Sequence, residues 1–153
     1  MLRATALSAA LTIAFAGTAR ADCYDDAAVY QQVNPMMLRA IVWQESHGNA
    51  AARHANADGS IDIGIAQINS IHLPALAGYG IGPTALYDGC VNVYVEAWIL
   101  KQKMVKYGNT WRAVGAYHSE TPAKRDAYAR SIRQILIRWG ALPASSAQIA
   151  SSH

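Results

Sequence analysis

A single short stretch breaks a chain otherwise patterned for helices. Ile61, Ile63 and Ile65 alternate with Asp62, Gly64 and Ala66, a repeat of two that suits a strand with one apolar face. It follows Asn56-Ala57-Asp58-Gly59-Ser60, which carries an Asp-Gly turn signal. A small hairpin is predicted there, and around it the apolar residues recur at helical spacing. The chain has 153 residues, 52% hydrophobic and 15% charged, which excludes a disordered, collagenous or coiled-coil protein. No internal repeat and no long linker divides it. The expected fold is one mainly α domain with a small β-hairpin.

The helix boundaries follow from caps and breakers. Asp22 to Val33 reads as a short helix. Asn34-Pro35 is an N-cap followed by proline at the first helical position, opening a helix that runs to Ser46 and stops at Gly48-Asn49. Pro74, Gly78, Gly80, Gly82 and Pro83 break up residues 71–88. Asp88 caps a long helix to Tyr107 with Val91, Val95, Trp98, Ile99 and Gln102 on one stripe, and Gly108 ends it. Thr110 caps a helix through Tyr117. Thr121-Pro122 opens a last helix with Ile132, Ile135, Leu136 and Trp139 on its apolar side, ending at Gly140. These elements make residues 22–140 the folded domain, and residues 141–153, rich in Ala and Ser, are expected to be a flexible tail.

Residues 1–21 have the pattern of a secretory signal peptide: Arg3, an apolar run from Ala4 to Gly17, and Ala19-Arg20-Ala21 as a small-x-small cleavage site. Export to the periplasm is the expectation, with Asp22 as first residue of the mature chain; an uncleaved anchor is the alternative. No later segment reads as a membrane span. Charge is unevenly spread. Residues 22–100 hold 2 basic and 8 acidic residues, whereas residues 101–153 hold 9 basic and 2 acidic. The basic part either meets an anionic polymer or lipid surface or is simply a set of solvated helix faces. Export argues against nucleic acid. Cys23 and Cys90 remain after cleavage, and an oxidising compartment favours a disulfide over two buried thiols.

One carboxylate lies on a face where charge is costly. Leu38, Ile41 and Val42 form the apolar stripe of helix 35–46, and Glu45 is three residues beyond Val42 and four beyond Ile41. Burial and the C-terminal end of the helix dipole both raise a carboxyl pKa. A Glu protonated near neutral pH serves as a general acid; the alternative is a Glu that swings out to solvent. A second carboxylate, Asp62, shares its strand face with Gly64 and Ala66, small residues that leave room for a ligand. Its alternative role is to stabilise the turn. A protonated carboxyl beside a polar anionic one is the pairing used to cleave glycosidic bonds.

These residues also carry a resemblance. Glu45-Ser46-x-x-Asn49, Gly64-Ile65-x-Gln67-Ile68-Asn69 and Ala116-Tyr117-His118 resemble, in order, the motifs of the soluble lytic transglycosylase domain, and most closely its small exported members that accompany secretion, conjugation and pilus machines. The resemblance spans about residues 23–125. It implies a lysozyme-like fold, no metal or cofactor, and cleavage of the β-1,4 bond between N-acetylmuramic acid and N-acetylglucosamine in peptidoglycan. It implies that Glu45 is the catalytic acid and then base, that Ser46, Gln67 and Asn69 line the substrate groove, and that the hydroxyl of Tyr117 orients the Glu. Its implied partners are glycan strands and components of an envelope-spanning machine, with the enzyme a monomer. Two departures stand out. The run from Asp58 to Asn69 resembles the hairpin of animal-type lysozymes, Asp62 included, which leaves water as an alternative acceptor to the muramyl C6 hydroxyl. His118 replaces the commoner Asn and either tunes the Glu or is a helix-end surface residue.

Other chemistry finds no footing. His47, His54, His72, His118 and His153 lack metal-ligand spacing, and no phosphate loop or Gly-x-Ser-x-Gly elbow occurs. Trp43, Trp98, Trp111 and Trp139 either stack on sugars or belong to the core. A non-catalytic module that binds peptidoglycan or docks on an envelope machine remains the alternative class.

Overall fold

Asp22 folds its carboxylate back onto the amides of Tyr24 and Asp25, and so starts helix α1 (Cys23–Gln31). The computed structural model describes residues 22–144. The signal-peptide expectation for residues 1–21 and most of the proposed tail lie outside the described residues. Asn34 caps α2 (Pro35–Ser46) as the sequence predicts, its Oδ1 accepting from Met36 and Met37. The helix ends where His47 turns left-handed, one residue before Gly48.

The hairpin is a three-stranded antiparallel sheet: β1 (Arg53–Ala55), β2 (Ile61–Ile63) and β3 (Ile68–Asn69), in that order. The expected alternation through Ile65 stops at Ile63. Gly64 adopts a positive φ of 77°, and residues 64–67 turn the chain back into β3. The register aligns His54, Asp62 and Asn69 across the three strands, and sets Ile63 against Ile68 on the opposite, buried face.

Residues 70–87 form a short helix α3 (Leu73–Ala77) between two single 3₁₀ turns. Asp88 then caps α4 (Gly89–Tyr107), accepting from Val91 N at 3.0 Å. Only part of the expected stripe on α4 is buried. Val95 and Ile99 are, but Val91 and Trp98 are half-buried and Gln102 is exposed. The helix runs between α1, α5, α2 and the sheet, so Asn92, Val93, Glu96, Ala97 and Leu100 are buried as well. Helix α5 (Trp111–His118) and helix α6 (Pro122–Arg138) start at Thr110 and Thr121 as predicted. On α6, Tyr128 joins Ile132, Ile135 and Leu136 in the core, whereas Trp139 stays 40% exposed. Gly115 lets the two helices close together: a Cβ there would collide with the backbone oxygen of Arg125.

A disulfide joins Cys23 at the start of α1 to Cys90 at the start of α4, as expected. It closes a loop over a sequence separation of 67. In the chain-entropy account, such a crosslink contributes about 4 kcal/mol.

Candidate active site

A cleft of about 670 Å³ opens between the sheet and the ends of α2 and α5. Glu45, Asp62, Gln67, Asn69, Tyr117 and His118 all line it. A second hollow of about 400 Å³, between α2 and α6, is lined by Gln44, Glu45, His118 and Tyr128 among others. Glu45 and His118 belong to both hollows, so the acid stands at a junction with space on either side.

Glu45 is half-buried at the end of α2. Tyr128 Oη donates to Glu45 Oε1 at 2.6 Å. Burial pushes the Glu45 carboxyl up to about 7; the Tyr128 hydrogen bond opposes this and the nearby Asp62 carboxylate adds to it. At neutral pH a large fraction of Glu45 therefore carries the proton a leaving oxygen needs.

The phenol that holds Glu45 is not the one expected from sequence. Tyr117 Oη donates instead to the backbone oxygen of Ala66, 3.0 Å away, which ties α5 to the turn before β3. The orienting role falls to Tyr128 for a reason visible in the packing. Its ring stacks with that of Tyr117, centroids 6.4 Å apart, and with that of His118, 4.8 Å apart and only 3° from parallel. The consecutive pair at the end of α5 braces the ring whose hydroxyl fixes the acid. Burial raises both phenols well above the ordinary tyrosine value, so both remain donors. His118 is an exposed residue at the end of α5, as one of its two expected readings had it, and it lines both hollows. Partial burial of the ring, and then Lys124, lowers its pKa, which favours the neutral ring.

Asp62 is held from both sides. Asn69 Nδ2 donates to Oδ1 at 2.7 Å and Asn56 Nδ2 to Oδ2 at 3.0 Å. Both carboxamides are anchored in turn: each also donates to Ser60 Oγ, and Asn69 Oδ1 accepts from Ile71 N. The carboxylate thus has a fixed position on the cleft wall. Gln67 takes a left-handed φ of 51° and donates from Nε2 to Gly64 O at 2.9 Å. A non-glycine residue in that region is strained, and here the strain sits on the cleft rim.

Three expected groove residues do not face the cleft. Gly64 and Ala66 are buried, and the space left by Gly64 is filled by Leu86 O and the Asn92 carboxamide, so it admits no ligand. Ser46 Oγ donates to Ile65 O at 2.6 Å and accepts from Asn49 N, locking the end of α2 to the hairpin. Their smallness and polarity serve the fold. Sequence reasoning also missed Asn92. Buried on α4, its Nδ2 donates to Ile63 O and Leu86 O at 2.9 and 2.7 Å, and its Oδ1 accepts from Ala66 N at 2.9 Å. It missed Glu96 as well, wholly buried one turn further on, with neither carboxylate oxygen hydrogen-bonded among the described residues. Burial, and then Glu45, raises its carboxyl well above the ordinary value, so it is a neutral acid in the core. None of the four tryptophans lines the cleft. Trp98 and Trp111 pack against the core, while Trp43 and Trp139 meet edge-to-face on the surface.

A mainly helical domain with a small antiparallel sheet, a half-buried Glu whose carboxyl is pushed up to about 7, and a fixed Asp across a cleft defines the lysozyme-like class of glycan-cleaving proteins. The comparisons narrow it. Residues 22–134 match the family described as Transglycosylase SLT domain. The chain is 40% identical over 133 residues to "Invasion protein IagB" of Salmonella typhimurium (strain SL1344), covering 86% of this chain and 83% of the relative. It is 36% identical over 131 residues to "Protein IpgF" of Shigella flexneri, covering 84% and 86%. It is 37% identical over 121 residues to an "X polypeptide" of Escherichia coli, covering 74% and 72%. The chain belongs to the transglycosylase SLT family and is a peptidoglycan lytic transglycosylase.

Proposed function

We propose that the chain cleaves the MurNAc-β-1,4-GlcNAc bond with formation of a 1,6-anhydromuramyl end. The observation that carries this is the Glu45 carboxyl at the junction of two hollows, pushed up to about 7 by burial and held in position by the hydroxyl of Tyr128. The strand would lie across that junction with one sugar to each side. Glu45 gives its proton to the glycosidic oxygen, the bond from C1 of the muramyl residue breaks, and the GlcNAc end leaves as an alcohol. The positive charge that develops at C1 faces the fixed Asp62 carboxylate. The muramyl N-acetyl oxygen can share that charge. Glu45, now a carboxylate, takes the proton of the C6 hydroxyl as O6 bonds to C1. The ring closes, and the acid is again protonated for the next turnover. Gln67 and Asn69 on the cleft wall offer polar contacts to the sugars. Each step uses side chains of this chain alone.

The two-sided hold on Asp62 favours a second outcome, in which water instead of O6 reaches C1 and a reducing end forms. Digestion of purified sacculi decides between them: an anhydro end is lighter than a reducing end by one water. No solubilisation by the wild-type chain, or undiminished solubilisation by Glu45→Gln, would remove catalysis altogether and leave a binding or docking module.

We also place the reaction in the periplasm, after removal of residues 1–21, for local opening of the wall during assembly of a secretion, conjugation or pilus apparatus. The signal-like N-terminus, the disulfide and the name "Invasion protein" of the Salmonella relatives support this setting. Loss of apparatus assembly on deletion of the chain, restored by the wild type but not by Glu45→Gln, tests it.

A further inference from the structure

Part of the basic excess after position 100 gathers at one end of the cleft. Lys103 lines it beside His72, Ser119 and Glu120. Lys103 Nζ reaches Glu120 Oε1 at 2.7 Å, and Lys106 Nζ reaches Oε2 of the same carboxylate at 3.4 Å. The Tyr107 hydroxyl also donates to Glu120. Around the Tyr107 ring stand the Arg112 guanidinium, 4.6 Å from its centroid, and the Lys106 ammonium, 4.8 Å away. Arg125 is spoken for by Asp126 at 2.8 Å. One carboxylate thus faces two ammonium groups, Lys103 and Lys106, with the Arg112 guanidinium over the ring of the tyrosine that donates to it. Burial, and then Lys103, lowers the pKa of His72 on the same wall, which favours its neutral ring.

A net positive corner has nothing to bind on the sugar rings of peptidoglycan, which are neutral where they are N-acetylated. The anionic groups of that polymer are on the peptide stems attached to its muramyl residues. We infer that Lys103 and Lys106, paired with Glu120, and Arg112, over the neighbouring Tyr107 ring, form a subsite for carboxylates of the peptide stem, so that this chain reads the peptide as well as the glycan. The inference rests on the glycan-cleaving reading of the same cleft. Glu120 acts as an internal stand-in: in the free protein it occupies the cations that a stem carboxylate would share. Lys103 is only 24% exposed, so its charge is directed into the cleft instead of ranging over the surface.

The test compares native sacculi with the same sacculi after their carboxyls have been amidated with carbodiimide and ammonia, each at limiting substrate. The wild type should release fragments faster from native material by about threefold to fivefold, the scale of one partly exposed charge contact. Lys103→Met should bring that ratio towards one. Glu120→Gln, which frees the cations, should raise it. The opposite directions separate charge recognition from damage to the fold. A ratio of one in the wild type, or a ratio that neither variant moves or that both lower, overturns the inference. Cleavage of neither substrate by the wild type would instead overturn the catalytic reading beneath it.

Discussion

Tyr128 and Glu45 stand 83 residues apart in the chain, and the phenol donates to the carboxyl at 2.6 Å. The bond joins the end of α2 to the middle of α6 and fixes the acid where the two hollows meet. Because it favours the ionised carboxylate, it also restrains the rise in pKa that burial causes. Tyr128→Phe should therefore have two effects. Turnover falls by about tenfold, the scale of one lost hydrogen bond to a group that ionises during the reaction. The alkaline limb of the pH profile moves upward. A drop in turnover with an unmoved limb would show that the ring only fills space.

Glu45 must begin the reaction protonated. The rate at limiting substrate should fall with rising pH through about 7, losing a factor of ten per unit above it. A profile flat from pH 5 to 9 contradicts a Glu acid of this kind.

The same proton is linked to stability. Between the ordinary glutamate value of 4.5 and about 7 the folded chain keeps a proton on Glu45 that the unfolded chain has released. Stability from this site is complete below that window and is lost as pH rises through it, by about 3 kcal/mol. Glu45→Gln keeps the acceptor for Tyr128 and removes the linkage. Its melting temperature should exceed the wild type by about 5 °C or more at pH 8 and match it near pH 4. Equal differences at both pH values would mean that the carboxyl is not held protonated by burial.

Asp62 and Asn69 allow charge to be separated from architecture. Asp62→Asn turns an amide towards two amide donors and should reduce turnover by about a hundredfold if the anion faces the reacting carbon. Adding Asn69→Asp restores a donor–acceptor pair at 2.7 Å with the charge moved across the strand. Hairpin stability should return with the double change and turnover should not. Recovery of both would reduce Asp62 to a structural residue.

Asn92 satisfies three buried backbone groups, of Ile63, Ala66 and Leu86. Asn92→Ala should lower unfolding free energy by about 3 kcal/mol and speed hydrogen exchange at Ala66. A loss under about 1 kcal/mol in a denaturant titration would refute the anchoring role, since unpaired buried backbone groups cost more than that.

What the sequence made legible was local. Asn34 and Asp88 mark helix starts through their own caps and Thr121-Pro122 through the proline, and the stripe Leu38-Ile41-Val42 turns Glu45 inward without any knowledge of the rest of the chain. What stayed hidden depends on approach between elements. Gly115 looks like a weak point in a helix until α6 is seen to lie against it. Gly64 and Ala66 look like space for a ligand until Asn92 fills it. Tyr128 did leave a trace: it precedes Ile132 by four residues on the buried side of α6, where a phenol needs a partner. The Tyr-His pair of the family motif lies beside it and drew the assignment one ring too far. Glu96 left none, because a wholly buried carboxyl without a hydrogen bond contradicts the ordinary expectation for Glu.

One carboxamide on a central helix pins the inner end of the sheet, while the Asp58-Gly59 tip projects away from that anchorage. The bite of the jaws above Glu45 is dimensioned from inside the molecule, not by its outer lip. Mutational drift can reshape or lengthen the lip, and with it the choice of strand, without resizing the bite.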